Sequence, residues 1–144
     1  MREVLATDIP EFFRQQTDPI ACELAAYPPR EPERFDTNWR ASIADPEIVA
    51  RTIVVDGAVA GHLIAWPADG RRLVGYWLDR QLWGHGIMTS ALAEFLPLVS
   101  QRPLFAHVAE HNPASASLLR RAGFVEQEHV IAEDGVPEII FRRD

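Results

Sequence analysis

The spacing of apolar side chains changes twice along the chain. After a short extended run, Arg2–Ala6, Asp8 can cap a helix with Pro10 in its first turn, and Ile9, Phe12 and Phe13 give that helix an apolar face. The stretch YPPREPERFDTNW, Tyr27–Trp39, is rich in proline and charge and predicts a stiff loop leading into a helix from about Thr37 to Ala44. The period then shortens. EIVARTIVVDGAVAGHLIAW, Glu47–Trp66, is two β-rich runs joined at Asp56-Gly57, the dipeptide that best closes a tight hairpin. A second turn at Ala68–Arg72 leads into RRLVGYWL, so three antiparallel strands in a meander are the simplest arrangement.

Helical spacing returns at Ile87, Met88, Ala91, Leu92, Phe95 and Leu96, predicting a helix from about His85 to the neighbourhood of Pro97. PLFAHVA, Pro103–Ala109, is a further strand. HNPASASLLRRAGF carries a complete helix signature: Asn112 as cap, Pro113 at the first position, Arg120 and Arg121 near the negative end, and Gly123 as the left-handed exit. The tail closes as a hairpin around Asp134-Gly135. The order β-α-α-β-β-β-α-β-α-β-β predicts a single α/β domain over residues 1–144, with a mixed, mostly antiparallel sheet of about six or seven strands flanked by about four helices.

Charge narrows the partners. Fourteen Lys and Arg against 21 Asp and Glu leave a net charge of -7, which argues against a nucleic-acid backbone as the main partner. No window approaches the length of apolar residues that a membrane span needs, and the N-terminus shows no signal-peptide run. The single cysteine, Cys22, permits no intrachain disulfide and, within the short amphipathic stretch DPIACELAAY, is either an inert buried or half-buried thiol or a nucleophile. A soluble, cytoplasmic protein is the expectation.

The distinctive stretch is YWLDRQLWGHGIMTSAL, Tyr76–Leu92, where two glycines flank a histidine between strand and helix. Glycines let backbone approach a ligand, and the first N–H groups of a helix lack internal partners and carry partial positive charge. The corner is therefore either a cradle for a phosphate or pyrophosphate, or a plain tight turn. Ile87-Met88 stands where a Walker loop needs Lys-Ser/Thr, and Thr89 is a poor third residue for a dinucleotide fingerprint.

Gln81-Leu82-Trp83-Gly84-His85-Gly86 matches the Q/R-x-x-G-x-G/A signature of the GNAT N-acetyltransferases, which the sequence resembles. The wider GYWLDRQLWGHGIMTSAL, with NPASASLLRRAGF, is similar to the branch that acetylates ribosomal-protein N-termini. The resemblance covers Ile53 to Phe141 well and the first fifty residues only loosely. It implies a GNAT fold and transfer of an acetyl group from acetyl-CoA to a primary amine by direct attack on the thioester, with no metal. It places the pyrophosphate on the backbone of Trp83, Gly84, His85, Gly86, Ile87 and Met88. It also pairs the pantetheine arm, like an extra strand, with an edge opened between the fourth and fifth strands, with backbone contacts at Trp77 and Leu78, and leaves Asn112 as a helix cap that can add a bond to it. Some relatives are dimers, which leaves a homodimer open.

The resemblance breaks at the catalytic acid. Many relatives carry a tyrosine where Leu119 stands here, while the N-terminal-acetylating branch places a serine at the position of Ser115. Ser115 is then either the acid that protonates the thiolate or an ordinary residue of the first helical turn. For the base, a carboxylate position on the fifth strand matches His107; His107 is either that base or a plain strand histidine, with Glu110 or a water chain as alternatives. His107 and His111, about 13 Å apart on an extended strand, are too distant to share a metal. His85 can face a CoA phosphate or solvent, and His62 can border the acceptor site. Arg30, Trp39 and Trp66 are candidate acceptor walls, each equally readable as surface or core. The missing tyrosine also motivates two alternatives: a non-catalytic acyl-CoA-binding or sensing module, and a binder of another phosphate compound.

Overall fold

A computed structural model describes all residues, Met1 to Asp144. The strands are β1 (Arg2–Glu3), β2 (Val49–Val55), β3 (Ala58–Ala68), β4 (Arg71–Leu78), β5 (Leu104–Ala109), β6 (Val125–Ile131) and β7 (Pro137–Arg143). The helices are α1 (Ile9–Gln15), α2 (Pro19–Ala25), α3 (Pro32–Ala44), α4 (Ile87–Phe95) and α5 (Pro113–Arg121). One sheet holds all seven strands in the order β1-β2-β3-β4-β5-β7-β6, antiparallel throughout except between β4 and β5. No helix is long and apolar enough to cross a membrane.

The turn chemistry follows from the residues. Asp56-Gly57 and Asp69-Gly70 both sit at positive φ (50° and 78°, then 50° and 75°), the paired left-handed geometry that a two-residue hairpin demands. Period-two alternation sends side chains to opposite faces of the sheet. On one face, Leu63, Ala65, Val74, Leu104, Ala106, Val108 and Phe141 pack with α4 and α5 into the main core. On the other, a smaller cluster joins Val4, Ile9, Phe12, Phe35 and Trp39, bringing α1 and α3 onto the sheet. Asp8 fastens the N-terminus: its buried carboxylate accepts from Arg2 twice, from the Leu5 amide and from the Thr52 hydroxyl. Those donors hold its pKa below the usual carboxylate value, against the opposing effect of its burial.

Three boundaries differ from the sequence reading. The helix expected from Thr37 begins at Pro32, because proline at the first helical position lacks only an N–H that would be unpaired anyway. Pro19–Ala25 forms a helix that brings the total to five, capped by Asp18, whose side chain accepts from the Ile20 and Ala21 amides. The helix expected from His85 begins at Ile87, since Gly86 (φ 73°) is left-handed and cannot continue into it.

Candidate active site

The site lies where the sheet parts. β4 and β5 pair only at Arg72↔Leu104 and Leu73↔Phe105. Beyond Leu73, β4 stays with β3 as far as Leu78, while β5 follows β7 to Ala109. The wedge between them opens into a cavity of about 740 Å³, within the size range of small-molecule sites. Hydrogen-bonded pairs alternate along an antiparallel ladder. The Asp79 amide bonds the Ala60 carbonyl, so by that alternation Trp77 directs its main-chain groups at β3. Tyr76 and Leu78 direct theirs at the opening, with Val74 at the fork, so of the two expected backbone contacts to a pantetheine arm Leu78 is available and Trp77 is not.

Gly61 sets how closely β4 approaches β3 here. A Cβ on Gly61 would stand 2.1 Å from the Trp77 carbonyl oxygen. The end of β4 is also tied to the helices: Asp79 pairs with Arg14 at 2.6 Å, and Arg80 with Asp18 at 2.8 Å.

The glycine corner stands at the mouth of the wedge. Gly84 (φ 82°) and Gly86 (φ 73°) are both left-handed, and nothing lies within 4 Å of the place a Cβ would occupy on either. Their glycine character therefore answers backbone conformation, and the space in front of them is open. The Trp83 amide bonds the Arg80 carbonyl and its indole Nε1 bonds the Leu78 carbonyl, both inside the turn. The amides of Gly84, His85, Gly86, Ile87 and Met88 have no acceptor in the chain, and Ser90 makes the first bond of α4, to Gly86. These orphan donors lie at the positive end of a helix, a face whose chemistry suits an anion. They narrow the expected donor set by one: Trp83 contributes its ring to shaping the turn, and its amide is taken.

The two faces of the wedge differ chemically. Val74, Tyr76, Ala106 and Val108 face α4 and α5, where Met88, Ser115, Leu118 and Arg121 complete the lining. Across this half Tyr76 Oη and Ser115 Oγ lie 2.5 Å apart in a hydrogen bond. Burial pushes the Tyr76 phenol up to about 12, the Ser115 contact opposing that rise, so it stays protonated at neutral pH. Ser115 sits at the third position of α5, where its amide donates to the Asn112 side chain at 3.3 Å, the cap that the sequence signals. Leu119, at the position where many relatives carry tyrosine, is wholly buried in the core.

The opposite face carries Gly75, Trp77, Ile64, Trp66, His62 and His107, with α2 above them. His107 is paired with Ile140 of β7, half exposed into the cavity, with Glu138 3.7 Å from its Nδ1. His62 is buried between Phe12 and Trp39, its ring centroid 4.8 Å from each, and its Nδ1 has no partner. Desolvation lowers its pKa to about 3, so it is a neutral floor to this half of the cavity.

The structure thus gathers Ser115, His107, Asn112, Leu78, Trp77, Trp83, Gly84, Gly86, Ile87 and Met88 around one cavity. His85 lies in the same corner, exposed. Glu110 is turned away, paired with His129 of β6 at 2.7 Å, and His111 bonds the Glu23 carbonyl at 2.8 Å. No group of three His, Cys, Asp or Glu could hold a metal ion. Trp39 belongs to the second core cluster, Arg30 lies over the Tyr27 ring, and of the three candidate walls only Trp66 lines the cavity. Tyr76 is the residue that sequence reasoning missed. Its signal was available: in GYWL, period-two alternation puts Tyr76 on the face opposite Trp77, toward the helix that carries Ser115.

Comparison with known proteins places this geometry. An acetyltransferase (GNAT) domain family matches residues 1–125. No curated protein matches the sequence. Among solved structures, a ribosomal-protein-alanine N-acetyltransferase from Brucella melitensis superposes with a TM-score of 0.83 at 20% identity, covering 99% of this chain and 97% of that one. An aminoglycoside acetyltransferase, AAC(6')-Ib, in complex with coenzyme A and kanamycin gives 0.79 at 15% identity, over 99% and 92%. A chimera of the Vibrio cholerae spermidine N-acetyltransferase SpeG gives 0.79 at 14%, over 99% and 93%. At these identities the structural likeness speaks for the fold, and the domain match speaks for the family. The chain belongs to the GNAT acetyltransferases and is an N-acetyltransferase, a family whose chemistry is acetyl transfer from acetyl-CoA to amines.

Proposed function

We propose that this protein acetylates a primary amine by direct attack of the nitrogen on the acetyl-CoA thioester, in the wedge between β4 and β5. The observation that carries the reading is the parting of these strands beside a run of unbonded amides, Gly84 to Met88. The amides suit a diphosphate, and the main-chain groups of Tyr76 and Leu78 suit the amide-bearing pantetheine arm, which would lie along β4 like an added strand. Asn112, which caps α5 at the same cavity, can add a hydrogen bond to that arm.

The division of the wedge into two faces supports separate routes for the two protons. The acceptor approaches from the side of His107, and the thioester sulfur lies on the side of Ser115 and Tyr76. As the N–C bond forms and the C–S bond breaks, the amine proton passes to the His107 imidazole, which is exposed enough to hand it to water. The departing thiolate takes a proton from the Ser115 hydroxyl, the Tyr76 phenol, hydrogen-bonded to it, supplies the replacement, and water entering the open cavity returns a proton to the phenolate. A main-chain N–H of β4 at the fork stabilises the oxyanion. The pair of hydroxyls would take the part of the tyrosine that Leu119 replaces. Glu138 stands 3.7 Å from the Nδ1 of His107, beside the ring that takes the proton.

The test is release of CoA thiol from acetyl-CoA with a panel of primary amines, alongside calorimetric titration with CoA. Saturable binding of CoA and turnover with at least one amine are expected. Absence of binding at millimolar CoA contradicts the reading, and tight binding without turnover on any amine points instead to a sensor.

A further inference from the structure

The acceptor half of the wedge has a composition that selects among amines. Three aromatic side chains shape it. The Trp66 indole lies against Gly75, its Cζ3 and Cη2 atoms only 3.1 and 3.2 Å from where a Cβ would stand, so the absent side chain is what lets the ring lie on the strand. Trp77 is fixed by its Nε1, which donates to the Gln15 carbonyl at 3.1 Å. Tyr27 tilts against Trp77 with ring centroids 6.0 Å apart. Ala21, Leu24 and Ile64 fill in between them.

Charge is distributed just as unevenly. No Asp or Glu lines the cavity, and its only arginine, Arg121, belongs to α5 on the other face. His62 is neutral, and at the outer edge the Arg30 guanidinium lies 4.7 Å from the Tyr27 ring centroid, adding positive charge. Glu138 is a neighbour of His107, at the place where a single reacting nitrogen belongs. A second ammonium further along the acceptor would lose water with no carboxylate to replace it, next to an arginine.

Resting on the transferase reading above, we infer that the acceptor is a monoamine on a flat apolar body, an arylalkylamine in chemical class, with the ring among Trp66, Trp77 and Tyr27 and the amine toward His107. The aromatic body contributes buried area and ring packing, and the single amine is the only charge to be desolvated.

Steady-state kinetics with acetyl-CoA and four acceptors test this: phenethylamine, spermidine, kanamycin and an alanyl dipeptide. The kcat/KM for phenethylamine is expected to exceed that of each other acceptor by about tenfold or more, one tenfold step being about 1.4 kcal/mol. Trp66→Ala should raise KM for phenethylamine about tenfold with KM for acetyl-CoA within about twofold, and Trp66→Phe should restore part of the loss. Preference for spermidine, kanamycin or the dipeptide overturns the assignment while leaving the transferase intact, as does an unchanged phenethylamine KM in a folded Trp66→Ala. Failure of CoA to bind, read separately by titration, brings down both.

Discussion

His62 makes the stability of this protein depend on pH in a way that its structure quantifies. The imidazole is buried against Phe12 and Trp39 at the floor of the cavity, with an unpartnered Nδ1 and a pKa lowered by desolvation from 6.5 to about 3. Between those two values the unfolded chain binds a proton at this position and the folded protein does not. Stability is therefore full above the unfolded value and is lost as pH falls through about 6.5. At pH 5 the loss is about 2 kcal/mol, and its ceiling at still lower pH is about 5 kcal/mol. Either is a sizeable share of the ~5–15 kcal/mol that holds a typical domain folded. His129, raised by Glu110 and Glu126, acts in the opposite sense, but it is exposed and screened. Asp8, lowered mainly by Arg2 and the Leu5 and Thr52 donors against its desolvation, loses its contribution only in more acid solution. Comparison of the wild type with His62→Phe cancels both. Urea unfolding followed by tryptophan fluorescence between pH 8 and pH 5 should show a wild-type stability that falls about 2 kcal/mol further than that of the variant. Parallel pH profiles would refute the assignment, as would an NMR titration in which His62 protonates near pH 6.

Other perturbations probe the remaining elements. Tyr76→Phe removes the phenol from the pair with Ser115; kcat should fall on the order of 10- to 100-fold with KM for acetyl-CoA unchanged, and combining it with Ser115→Ala should cost little more than Ser115→Ala alone. Gly61→Ala must displace the Trp77 carbonyl, costing about 1–3 kcal/mol in chemical denaturation and lowering activity through the shifted end of β4. Gly86→Ala forces a side chain into left-handed backbone at about 1 kcal/mol and should raise KM for acetyl-CoA. Cys22 is buried, donates to the Gln16 carbonyl at 2.9 Å and has a pKa raised by desolvation; the native protein should react with a disulfide reagent about 100-fold more slowly than the urea-unfolded chain.

What was legible in the sequence was local. Asp-Gly pairs announced their hairpins, Asn112 to Gly123 announced α5 from cap to exit, and the alternation of β2 to β4 announced a meander. The wedge followed only from the family resemblance, because the parting of two strands has no signature in either strand alone. Helix α2 gives no periodic signal, although Asp18-Pro19 carries the same cap chemistry as other helix starts, because its seven residues are too few for periodicity to register. The prolines of Tyr27–Trp39 carry a loop signal in the local sequence, yet Pro32 opens α3. Trp39 and His62 could not be placed, since their burial depends on α1 and α3 docking onto β3. The contact between Tyr76 and Ser115 spans 39 residues, and no local pattern reports a bond of that range.

The central claim is that acetyl-CoA threads the wedge with its diphosphate on the amides of the glycine corner. A crystal structure of the protein with CoA tests it directly. Diphosphate oxygens within hydrogen-bond distance of the amides from Gly84 to Met88, with the thiol reaching between β4 and β5 toward Ser115, are the predicted result. CoA seated at any other surface, with those amides still facing solvent, would contradict it.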